Sequence, residues 1–99
     1  MIYIQIVGSG FGECEKLENR CREIVDENAI EAKVETITDV RKFTELGVLQ
    51  TPGLIINGKV VSTGDVPDEV NILSWIFEAQ KWLGPNRTQM TRNLYLIIA

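Results

Sequence analysis

Residues Ile4–Cys14 read IQIVGSGFGEC, and the fold turns on how this stretch is understood. Together with Met1–Tyr3, the apolar, β-branched residues up to Val7 predict a buried strand that ends at Gly8. Gly8, Gly10 and Gly12 then crowd a single turn, and Cys14 stands at the head of whatever follows. Two chemistries share that layout. One cradles a phosphate on glycine backbone; the other presents a thiol at the start of a helix.

The phosphate reading fails on spacing. A dinucleotide-binding G-x-G-x-x-G turn needs its third glycine where Glu13 stands, and a carboxylate there would repel a pyrophosphate. Gly12 comes one residue too early, and no Gly-Lys-Ser/Thr follows to make a P-loop.

Working outward, residues from about Gly12 to Asn28 are periodic as a helix. Cys14, Leu17, Cys21, Ile24 and Val25 form one apolar stripe on a charged cylinder. Ala32–Ile37 alternates as a second strand. Asp39 is placed to cap a short helix carrying Val40, Phe43 and Leu46, which Gly47 ends. Leu54–Ile56 and Lys59–Thr63 flank Asn57-Gly58, a strong signal for a hairpin with a type I′ turn. Pro67 suits the start of a last helix running to about Leu83, and Gly84-Pro85-Asn86 stops it. The order is β-α-β-α-β-β-α. It predicts an α/β fold with a parallel strand pair joined by a right-handed crossover and a hairpin added antiparallel, giving a mixed four-stranded sheet.

Composition narrows the function. The chain has 99 residues, 44% of them hydrophobic, enough for one domain with a single core. A net charge of −4 with interspersed signs speaks against nucleic acid and against an anionic membrane. No apolar stretch is long enough to span a bilayer and no basic leader precedes the first apolar run, so a cytoplasmic protein is expected. Two cysteines and no histidine leave no metal site or Cys-His pair to expect, and no cofactor is expected either. A thiol is the remaining chemical group.

A second stretch, LGVLQTPGLIINGKVVSTGDVP at residues 46–67, gives the thiol reading its weight. A Thr-Pro before a strand, a Gly-Lys hairpin and a Gly-x-Val-Pro loop resemble the small redox-active disulfide proteins of the thioredoxin superfamily, which are glutaredoxin-sized. GSGFGEC sits where that family carries Gly-Thr/Ser-Gly-Cys-x-x-Cys. The resemblance covers about Met1 to Leu83 and implies a thioredoxin-like three-layer sandwich. It implies that Pro52 is the cis-proline beside the active-site helix, and that an extended peptide is held by the backbone of Thr51. It also implies a protein or peptide thiol or disulfide as partner.

One position departs from the pattern. The family's first cysteine is its nucleophile, and Phe11 stands in its place; only the resolving position, Cys14, is filled. Burial and the helix dipole act on that thiol in opposite directions. Cys21 lies seven residues further along the helix, about 10 Å along its axis, too far for a bridge to Cys14, and reads as a core residue. The candidate site is therefore Cys14 as a lone thiol, with Phe11, Gly12, Glu13, Thr51 and Pro52 lining a substrate groove. Weak or absent dithiol exchange is expected. The alternative is a non-catalytic binding module in which Phe11 anchors an extended peptide at the groove's mouth; Phe11 could equally staple onto its own helix.

Residues 84–99 lie outside the resemblance and are expected to form a C-terminal extension of a 1–83 domain. The last helix carries an apolar stripe, Ile72, Ile76, Ala79 and Leu83, flanked by Trp75 and Trp82 on one side and by Val70 and Phe77 on the other. NLYLIIA at residues 93–99 has high β propensity and no charge. It is expected to dock as an added strand or arm, on its own domain or across a homodimer.

Overall fold

The structure, a computed structural model, describes residues 1–81. Its elements are β1 (Ile2–Val7), α1 (Glu13–Glu27), β2 (Ala32–Ile37), a 3-10 turn (Val40–Lys42), β3 (Gly53–Ile56), β4 (Lys59–Thr63) and α2 (Glu69–Lys81). The strands form one mixed sheet in the order β2-β1-β3-β4. β1 and β2 run parallel from Ile2 opposite Ala32 to Val7 opposite Ile37, while β3 is antiparallel to both β1 and β4. This is the α/β arrangement with a mixed four-stranded sheet expected from the order of elements, and it agrees with the thioredoxin-like sandwich that the resemblance implies. Asn57 and Gly58 both have positive φ, as a type I′ turn demands, and a register shift between Leu54 and Ile55 bends the hairpin.

The core follows from alternation along the strands. Ile2, Ile4 and Ile6 of β1, with Leu54 and Ile56 of β3, face the two helices. They meet Cys14, Leu17, Cys21 and Ile24 from α1 and Ile72 and Ile76 from α2. Arg20 Nη1 donates to the Pro67 carbonyl at 2.7 Å and ties α1 to the loop before α2. On the opposite face Val7, Val48 and Ile55 form a smaller cluster with Ile37, Phe43, Leu46 and Val60.

Two boundaries correct the sequence reading. The segment after Asp39 is not a helix from Val40 to Leu46. It is one 3-10 turn followed by tight turns. Asp39 does cap it, its carboxylate accepting from the Arg41 amide. The end is equally well made, because Val48 N donates to the Phe43 carbonyl and Gly47 N to that of Thr44, with Gly47 at φ +84°. Start and stop signals lie so close together that no regular α-helix develops between them. Val40 consequently points to solvent, 72% exposed, rather than into the core. The third layer is thus thin, and it covers only part of the sheet. The last helix begins after Asp68, not at Pro67, since Asp68 accepts from Asn71 N through its side chain and from Ile72 N through its carbonyl. The expected end at Leu83 and the extension 84–99 lie outside the described residues.

Candidate functional site

β1 and β3 pair Val7 with Gly53, so the turn that leaves β1 lies opposite the Thr51-Pro52 dipeptide that enters β3. The Thr51–Pro52 peptide bond is cis. Pro52 is buried and Thr51 exposed, and the Pro52 carbonyl accepts from Gly64 N at 2.9 Å. Thr51's own backbone groups find no backbone partner among the described residues.

Gly8 is the hinge between these two segments. A Cβ at this position would stand 2.9 Å from Cys14 Sγ and 3.7 Å from Thr51 Cβ. The cysteine therefore packs into the space that a side chain on residue 8 would fill, and Thr51 borders the same space. In the sequence Gly8 reads only as the end of a strand, and nothing there signals this close approach.

The turn itself is held locally. Phe11 N donates to Ser9 Oγ at 3.1 Å, and Cys14 N donates to the Phe11 carbonyl at 3.1 Å. Gly10 and Gly12, at φ +90° and +57°, take left-handed conformations that cost glycine little. Gly12 stands at the N-terminus of α1 without a side-chain cap. This geometry throws Phe11 outward, 77% exposed, while Cys14 is 3% exposed. Phe11 does not staple onto the helix. Gly12 and Glu13 are exposed beside it. The structure thus brings Cys14, Gly8 and Thr51 together, sets Phe11 at the rim, and leaves Cys14 beneath the surface.

Cys14 and Cys21 are both free thiols. Burial pushes the Cys21 thiol up to about 12, consistent with a core residue. Among the described residues no group of three or more His, Cys, Asp or Glu side chains could hold a metal ion. No described helix is long and apolar enough to cross a membrane.

The same end of the sheet carries two apolar residues that sequence periodicity did not single out as exposed. Val40 follows β2, and Leu49, 82% exposed, precedes Thr51. Thr38 links the neighbouring loops, its Cγ2 lying 3.4 Å from where a Gly10 Cβ would be.

A parallel β1–α1–β2 unit, an antiparallel hairpin on the same sheet and a thiol in the first turn of α1 define a small thioredoxin-fold protein. The thioredoxin domain family matches residues 2–77, and the chain belongs to that family. It is 36% identical over 72 residues to a thioredoxin of Methanothermobacter thermautotrophicus, a match that spans 73% of this chain and 94% of that protein. It is 31% identical over 67 residues to a thioredoxin of Methanocaldococcus jannaschii, spanning 68% of this chain and 77% of that one. Membership makes it a thioredoxin-like redox protein in its general class.

Proposed function

We propose that this chain is a thioredoxin-family protein whose dithiol cycle is interrupted at position 11, leaving Cys14 as a lone thiol. The observation that carries the reading is the inverted accessibility of the site. The rim position holds Phe11, exposed and without a thiol, while the remaining thiol is covered. Exchange needs a thiolate with access to the partner's sulfur. Should Cys14 attack a partner's disulfide, it would form one mixed disulfide and release one partner thiolate. No second thiol of this chain stands at the turn to displace it, so the cycle would stop there until an external thiol completed it. Dithiol oxidoreductase activity is accordingly weak or absent, and no cofactor or metal takes part. The partner is a protein or peptide bearing a thiol or disulfide, met in the cytoplasm, with Phe11, Gly12, Glu13, Thr51 and Pro52 forming the contact surface.

One observation favours a second reading. Phe11, Val40 and Leu49 are all more than 70% exposed on the loops at one end of the sheet. Such residues suit a binding module that holds an extended apolar peptide beside Thr51, whose backbone groups are available.

Reduction of insulin disulfides by the chain and by its Phe11→Cys variant tests the first reading. The chain should do no better than an equimolar free thiol, and the variant should turn over. Comparable turnover by both would refute the interruption at Phe11. Alkylation of the native chain across neutral to mildly alkaline pH separates the two readings: labelling at Cys14 favours the lone-thiol role, and protection of both cysteines favours the binding module.

A further inference from the structure

The two flanks of α2 are covered unequally. Trp75 and Ala79 pack against the helix-side core, and with Ile56 and Val61 they line the seam between α2 and β4. Among the described residues the other flank is uncovered. Val70 is 75% exposed and Phe77 49% exposed. With Leu73 and Ser74 they line an open groove rimmed by Glu78 and Lys81. Val70, Leu73 and Phe77 recur at i, i+3 and i+7, so the strip runs along the helix rather than scattering over it.

We propose that Leu94–Ile98 of the same chain occupies this groove, clasping α2 from outside. From Val70 to Lys81 the groove runs about 16 Å along the helix axis. Five residues in extended form span about 16 Å as well. The sequence Gly84-Pro85-Asn86 suits a chain reversal between the helix and such an arm. Residues 87–93 can bridge up to about 23 Å, so the arm can lie anywhere along the strip. That connecting stretch carries Arg87 and Arg92 but no acidic residue, which suits a path past Glu78 on the groove's rim. In an extended arm Leu94, Leu96 and Ile98 share one face and would meet Phe77, Leu73 and Val70.

A second copy of the chain suits the groove less well. Stable dimers bury roughly 1,200–2,000 Å², and three apolar side chains on a single helix of 13 residues offer only a fraction of that. A tethered arm needs far less contact, because its effective concentration is in the millimolar range.

The test uses the full chain throughout. Phe77→Ser and Leu96→Ser should each lower the melting temperature by several degrees, and the double variant should melt scarcely lower than the worse single one. Val70→Ser paired with Leu96→Ser should repeat the pattern, guarding against a Phe77 effect on the helix alone. All variants should elute as monomers. Additive shifts, or no shift from Leu96→Ser, would overturn the proposal, as would concentration-dependent association abolished by Phe77→Ser. Mild oxidation of the chain carrying Val70→Cys and Ile98→Cys, which face each other in this register, gives an independent reading. An intramolecular link supports the clasp, and a covalent dimer or no link refutes it.

Discussion

The two faces of the sheet are built on different plans. The face under α1 and α2 is apolar at its centre, with Ile2, Ile4, Ile6, Leu54 and Ile56 buried against two helical stripes. The opposite face is divided. Toward the site end, Val7 and Ile55 are covered by Val48 and the turns around Phe43 and Leu46. Toward the other end, Tyr3, Gln5, Lys33 and Glu35 remain within reach of water and bond to one another. One face is sealed by regular structure and the other by irregular chain and polar contacts. Cys14 belongs to the sealed face but lies at its edge, against Gly8. A thiol can therefore be buried in the core and still adjoin the loops where a partner would arrive.

The largest effect should come from neighbouring residues of β3 that point to opposite faces. Leu54→Ala opens a gap between two helices and the sheet, elements that relax little, and should cost about 2–5 kcal/mol, a large part of a small domain's stability. Ile55→Ala faces the turn segment, which can close over the space, and should cost clearly less. Denaturant melts of the two variants measure both. Equal losses would mean that the two faces resist collapse alike, and the comparison would fail.

The same difference decides what the sequence could reveal. The strands, α1 and the Asn57-Gly58 hairpin announce themselves because alternation, a 3.6-residue stripe and positive-φ turn residues are local signals. The thin layer does not. Val40, Phe43 and Leu46 are spaced like one side of a helix, yet caps at Asp39 and Gly47 leave room only for a 3-10 turn and further turns. The site was legible in part. The glycine-rich turn and Thr51-Pro52 stand out in the sequence, and strand register brings them side by side. The fit of Cys14 against Gly8 was hidden, because it depends on a contact between two elements, as was the exposure of Leu49.

A smaller effect is expected where the irregular layer touches the sheet. Gly53 starts β3, and a Cβ there would meet the Val48 methyl groups at 2.7 and 2.8 Å. Gly53→Ala should therefore overpack the second cluster and cost about 1–3 kcal/mol. Adding Val48→Ala should recover part of that loss, although the same substitution alone destabilises. A thermodynamic cycle over the four proteins measures the coupling. Without rescue, the clash with Val48 is not what fixes glycine at this position.

The smallest effect belongs to the polar half of the second face, and pH exposes it. Tyr3 donates its hydroxyl proton to Glu35 Oε2 at 2.5 Å. That bond is the main reason the Glu35 carboxyl is held below its ordinary range and the Tyr3 hydroxyl above its own. For Glu35 the depressed folded value gives stability that is present above about pH 4.3, its unfolded value, and is lost as pH falls through the folded one. For Tyr3 the raised folded value gives stability that is present below about pH 10 and is lost as pH rises through the folded one. Tyr3→Phe removes the Tyr3 contribution and the largest part of that of Glu35, leaving what Gln5, Lys33 and Lys42 supply. The melting-temperature difference between the chain and this variant should be small, level between about pH 5 and 9, and narrower at each end. Cys21, pushed up to about 12 by burial, also lowers stability as pH rises above its unfolded value, but it does so in both proteins and cancels in the difference. A difference that stays level at both extremes would mean that the Tyr3–Glu35 bond adds nothing, and that this half of the face is held by the strand ladder alone.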